Sequence, residues 1–190
     1  LEGADAGAVL NGRVPWRAGG NDVRPLLLPP KIAEVVKDNN KWLTLIEDPA
    51  LDTVDTSLLR GLSAYSKWDV FRDLPADVPP GINLYDAPLP AYLPLRHLAR
   101  VHLLKSLKPN ASPTFAEAAH DVEALAYLLS TSNLLAGVVG TVILKDVVAA
   151  HDRAVDDGVV GDHVGVVDVD GAERMRRVLL TAPVFVGLTR

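Results

Sequence analysis

The chain has 190 residues, a formal net charge of −5 and a hydrophobic share of 48% against 23% charged residues. That is enough apolar material for the core of one ordinary domain, and it excludes a disordered tail. The acidic balance argues against a nucleic-acid binder, which needs a basic face, and the absence of cysteine excludes disulfides, thiolate metal sites and cysteine nucleophiles.

Residues 1–30 carry Gly3, Gly7, Gly12, Gly19, Gly20, Pro15, Pro25, Pro29 and Pro30, a density that breaks helix and strand alike. We expect an extended arm, pinned across the domain surface by Trp16 and the run Leu26-Leu27-Leu28. With Leu1 in first place and no basic-then-apolar leader, the expectation is a processed or trimmed chain, with any anchor upstream of Leu1. Twelve Arg against seven Lys, and eighteen Asp against six Glu, match a GC-rich bacterial genome and suggest the bacterial cytoplasm or cell envelope.

Residues 31–89 read as short helices and loops. Pro30 opens a helix over Lys31 to Lys37, which Asn39-Asn40 ends. Leu43 to Glu47 fits either a strand or a helical turn. Asp55 is placed to cap a helix over Thr56 to Tyr65, with Leu58, Leu59 and Leu62 on one face. A proline-rich loop follows from Trp68 to Pro90; its aromatic residues Trp68, Phe71 and Tyr85 predict packing.

The helical core is expected over 90–151. Pro90 and Pro94 suit the first turns of a helix reaching Leu107, and Lys108-Pro109-Asn110 stops it. Thr114 and Glu117 form a capping box for a helix from Phe115 to Leu129, whose apolar stripe excludes Glu117, His120, Asp121 and Glu123. Ser130 to Asn133 is read as a polar break, with Asn133 or Ser132 able to cap a further helix from Leu134 to about His151. Short connections make these helices antiparallel neighbours. The fold expected is therefore mainly α, an antiparallel helical hairpin or bundle core with a long irregular N-terminal arm. Leu134 to Ile143, which has no charged face, is expected to be the most buried segment. From Ala124 to Leu144 there are 21 residues without a charge, close to the ~20 that span a bilayer, so a membrane segment is the competing reading.

Residues 152–190 are read as a C-terminal loop and helix. Asp170 and Glu173 cap a last helix to Leu180, Pro183 ends it, and the apolar tail Val184 to Leu188 docks.

No constellation argues for catalysis. Glu117 and His120 have the E-x-x-H spacing of carboxylate metal bundles, but only one copy is present and both fall on the polar face, so no metal is expected there. His97 and His102 stand five apart on one helix and cannot share a metal; His102 is expected to be buried and satisfied by a hydrogen bond. Asp168-Val169-Asp170-Gly171 resembles the middle of a calcium loop, but Val166 and Arg177 stand where ligands are needed. Asp156, Asp157, Asp162 and His163 could join a loose metal cluster, but Asp is simply common in the loops of this chain, and Arg174, Arg176 and Arg177 form a small basic patch that a solvated final helix explains. No catalytic residue, cofactor or metal is assigned.

Phe115-Ala-Glu-Ala-Ala-His-Asp-Val-Glu-Ala-Leu resembles the second helix of a tetratricopeptide repeat, with Leu95 to Leu107 as the first helix. The loop Lys108 to Thr114 is longer than that family's turn, and no second copy follows at a period of about 34 residues. The resemblance implies a helix hairpin and peptide binding. The function expected is a non-enzymatic structural or protein-interaction module, acting on a protein partner or as a homo-oligomer. A small-ligand binder or enzyme with a pocket near His97, Arg100 and His102 is the alternative. A membrane-associated subunit, anchored upstream of Leu1 or through Ala124–Leu144, is the second.

Overall fold

The computed structural model describes residues 4–14, 28–70, 72 and 90–160. Among them the protein is helical, with no strand beyond one isolated parallel bridge between Asp5 and Lys67. The α-helices are α1 (Gly7–Leu10), α2 (Pro30–Val36), α3 (Tyr92–Ser106), α4 (Phe115–Ser132) and α5 (Leu134–Asp156); four 3-10 turns lie between Trp42 and Ala64. Trp16, Leu26, Leu27, Phe71 and Tyr85 lie outside the described residues. So do the expected helix from Asp170, the motif at Asp168, the cluster residues Asp162 and His163, the Arg174 patch and the docking tail.

The described start of the arm is not extended. Gly7–Leu10 makes one helical turn, and Ala6, Leu10 and Val14 enter the core. Gly7 is required there, because a Cβ would meet the Asp69 carbonyl oxygen at 2.8 Å. Asp5 fixes the turn, accepting the backbone N–H groups of Gly7 and Asp69 and pairing with Arg72.

α2 begins at Pro30, whose missing N–H costs nothing in a first turn. Trp42–Glu47 is a 3-10 helix, which settles the ambiguity at Leu43 to Glu47 in favour of a helical turn. The single helix expected over Thr56 to Tyr65 is instead two 3-10 pieces, Ser57–Leu59 and Leu62–Ala64. Gly61 separates them with φ +78, a conformation no α-helix interior holds. Thr56, not Asp55, is the N-cap of the first piece; Asp55 precedes it and accepts Ser57 N–H at 2.8 Å.

α3, α4 and α5 form the core. At the start of α4 the Thr114 hydroxyl accepts Glu117 N–H while the Glu117 carboxylate accepts Thr114 N–H at 2.8 Å, the reciprocal cap the sequence predicts. α4 runs on through Ser130 and Thr131, because their hydroxyls donate to the carbonyls of Tyr127 and Leu128 and need no break in the helix. The reversal falls on Asn133 alone, whose side chain accepts Ala136 N–H to cap α5. Gly140, seven residues after Asn133, lies against Ala126, seven before it, so α4 and α5 are an antiparallel hairpin. A Cβ at Gly140 would meet the Ala126 carbonyl oxygen at 2.7 Å. This pairing is more extensive than that of α3 with α4, so the main hairpin is α4–α5 and not the α3–α4 pair that resembles a repeat unit.

Leu134 to Ile143 is not the most buried segment. Leu134, Leu135 and Val138 are exposed, whereas Leu98 to Leu104 of α3 are all buried, Arg100 and His102 included. α3 is the central helix because α2, the 3-10 turns, α4 and α5 all pack on it. Its buried charge is tolerated because it has internal partners.

Candidate functional site

Three arrangements concentrate the chemistry. The first joins α2, α3 and α5. Arg96 and Arg100, one turn apart on α3, converge on Asp146 of α5. Arg96 Nε donates to Oδ2 at 2.7 Å and Arg100 donates to Oδ1 at 2.8 Å. Both guanidiniums also donate to the Asn39 side chain, and Arg100 donates to the Val36 carbonyl at 2.6 Å. The Arg100 guanidinium sits 5.1 Å from the centroid of the Trp42 ring. A carboxylate in the middle of an apolar helix is stable here because two cations meet both of its oxygens. His97 lies beside this cluster. Burial, with the charges of Arg100, Arg96 and Lys37, pushes its pKa down to about 4.

The second arrangement is Thr56, His102 and Asp121. The fully buried imidazole bridges Thr56 Oγ1 at 2.9 Å through Nδ1 and Asp121 Oδ2 at 3.2 Å through Nε2. As a carboxylate Asp121 can only accept, so Nε2 carries the proton and Nδ1 accepts from the Thr56 hydroxyl. Burial lowers the His102 pKa, with the Asp121 hydrogen bond acting against that shift. Nucleophilic catalysis needs a reachable hydroxyl, and Thr56 is itself buried. What the trio does is pin the 3-10 segment to α3 and α4.

The third is a surface. Leu134 is 75% exposed, Val138 53%, Leu135 49% and Val148 45%. At 100° per residue Leu134, Val138, Lys145, Val148 and Asp152 fall within an arc of about 80° on α5. Leu93, also exposed, stands at the start of α3, which the Tyr92 hydroxyl ties to Asn133 at 2.6 Å. α5 is long and apolar enough to cross a membrane, but 44% of that window is buried inside the fold.

His97, Arg100 and His102 are thus divided. Arg100 and His97 belong to the α2–α3–α5 cluster, while His102 turns to Thr56 and Asp121. Glu117 is occupied with its cap, and His120 is exposed. Among the described residues no group of three or more His, Asp or Glu is placed to hold a metal ion. Sequence reading misses the role of Asp146 and Arg96. The available signal is an Arg pair four apart among the leucines of α3, and Asp146 is the acidic residue beside Lys145 in the apolar run of α5. No protein-family model, curated protein or solved structure matches the chain.

Proposed function

We propose that the protein is a non-enzymatic helical interaction module whose docking surface is the outward stripe of α5. The observation that supports this is the contrast between the two sides of that helix. Its inner side is closed by Gly140, Ile143, Val147 and Ala150 and locked by Asp146, while Leu134, Leu135, Val138 and Val148 face water. Exposed apolar side chains are ordinary when scattered; Leu134, Val138 and Val148 share one outward arc of α5 around the exposed Lys145, with Leu135 beside it, and this grouping supports a contact surface. The partner suited to it is a protein segment with an apolar side, laid along the helix as in groove and bundle recognition.

The test is a photo-crosslinking amino acid placed at Val138 and, as a control, at the exposed Glu34 of α2, in cells making the full chain. Discrete adducts heavier than the monomer at Val138, absent at Glu34 and lost in a Val148→Glu background, are the expected result. Equal labelling at both positions would remove the proposal.

A further inference from the structure

We infer that the occupant of the α5 stripe is an amphipathic helix of a different protein, apolar along one seam and carrying an acidic residue opposite Lys145 and a basic residue opposite Asp152. This rests on the reading of the stripe as a docking surface and names the chemistry of what docks there.

The first ground is spacing. The outward residues Leu134, Val138, Thr141, Lys145, Val148 and Asp152 follow one another at four and three positions in alternation; Thr141 is half-buried and the other five are exposed. This is the heptad spacing with which one helix seats its side chains between those of another. The inner side of α5 has it too. Ala136, Gly140, Ile143, Val147, Ala150 and Ala154 keep the same order, and all six are buried. The two seams lie about 160° apart round the helix axis. One is filled by the rest of the fold, and its equivalent, about 27 Å long, faces water. Thr141 needs no polar partner in such a seam, because its hydroxyl donates to the Gly137 carbonyl at 3.1 Å.

The second ground is charge. Lys145 enters no ion pair among the described residues, and Asp152 approaches the His151 ring at 3.9 Å, beyond hydrogen-bond reach. Arg153 lies off the seam and is already paired with Asp157 at 2.7 Å. The seam thus offers a cation and an anion about 10 Å apart for an incoming helix to match.

A second copy of this chain cannot match them. In heptad terms Val138, Lys145 and Asp152 hold position a, and Leu134, Thr141 and Val148 hold position d. Two parallel copies set each position against itself, so Lys145 would meet Lys145 and Asp152 would meet Asp152. In an antiparallel pair each a residue faces a d residue, and no d position of the seam is charged. In any antiparallel register that covers Leu134 and Val138, the two charges land on Leu134, on Thr141 or beyond the end of the opposite helix. The polar a positions therefore select against self-pairing and in favour of a helix of complementary charge.

The probes are synthetic amphipathic helices three heptads long, built for parallel and for antiparallel pairing. Each is made in two forms, one with Glu opposite Lys145 and Lys opposite Asp152, the other with these two residues exchanged. The peptides are dye-labelled and kept at nanomolar concentration, and fluorescence anisotropy follows their binding to the full chain. In one of the two directions the wild type should bind the matched form at least about tenfold more tightly than the exchanged form, which sets like charges face to face. The double variant Lys145→Glu with Asp152→Lys changes exposed residues only and should invert the preference. Val138→Glu should abolish binding of both forms. Binding of no peptide, or binding indifferent to the exchange of charges, would overturn the inference. So would a wild-type dimer in sedimentation that Val138→Glu dissolves, since the stripe would then belong to a second copy. Photo-crosslinks at Val138 alongside peptides that fail would leave the docking surface standing, with a partner of another kind.

Discussion

Replacing Gly140 by Ala tests the packing that sets α5 in place. In an unpacked helix the change would gain about 1 kcal/mol from propensity. Here the new Cβ would stand 2.7 Å from the Ala126 carbonyl oxygen and 3.5 Å from Leu129 Cβ. A carbon–oxygen contact needs about 3.3 Å, so the helices must part by roughly 0.6 Å by this measure. The Ala126 carbonyl cannot turn aside, because it lies in the interior of α4 and takes part in its hydrogen-bond ladder. Overpacking of this kind costs about 1–3 kcal/mol. Set against the propensity gain, the net loss is about 1 kcal/mol and at most about 2. Gly12 is the control. It has open space around its Cβ position and no left-handed φ, so Gly12→Ala should be neutral or gain about 0.4–1 kcal/mol. Urea unfolding followed by the fluorescence of buried Trp42 and Trp68 would measure both. Gly140→Ala as stable as the wild type, with unchanged m, would refute the close α4–α5 approach.

Asp146→Ala leaves two guanidiniums, one fully buried, without their anion; we expect a loss of about 3–5 kcal/mol in chemical denaturation, and a loss below about 1 would mean the cluster is solvated. Acid should destabilise the fold in a defined window. An unfolded histidine takes up its proton near pH 6.5, whereas His97 in the fold does so only at about pH 4. Between those values the unfolded chain binds more protons, so stability is complete above pH 6.5 and falls as pH drops toward 4. With solvent screening at a half-buried ring allowed for, the loss is about 1–2 kcal/mol. The lowered pKa of His102 acts in the same direction. A His97→Gln variant should show a flatter stability–pH curve over this range, and an unchanged slope would assign the acid sensitivity elsewhere. Thr114→Ala should cost about 1 kcal/mol by loss of the cap, while Ser112→Ala, at an exposed residue outside the helix, should cost far less; the reverse order in denaturation would move the start of α4.

The elements legible in the sequence are those with local causes. Pro30, the Thr114–Glu117 box and the Asn133 cap act within one turn, and the structure has all three. Reading fails where the deciding partner is not visible in the pattern. Ser130 to Asn133 has the composition of a break, yet the Ser130 and Thr131 hydroxyls bond to their own helix. Gly61 interrupts a pattern whose leucines alone suggest continuity. The uncharged face of α5 suggests deepest burial, but the absence of charge cannot say which side meets the core. Asp146 settles that through its ion pairs with α3, and its pairing with Arg96 spans 50 positions of sequence, a separation that no local pattern encodes. His102 is legible as a buried, hydrogen-bonded histidine; its partners Thr56 and Asp121 are not, since they come from different elements.

The most direct measurement of the docking surface is hydroxyl-radical labelling of Leu134, Leu135, Val138 and Val148 in intact cells, each normalised to the urea-unfolded chain. A covered stripe should be labelled several-fold less than side chains about half exposed in the isolated fold would be. Labelling at the level set by that exposure would show an α5 face open to water, and the stripe would then be no docking surface.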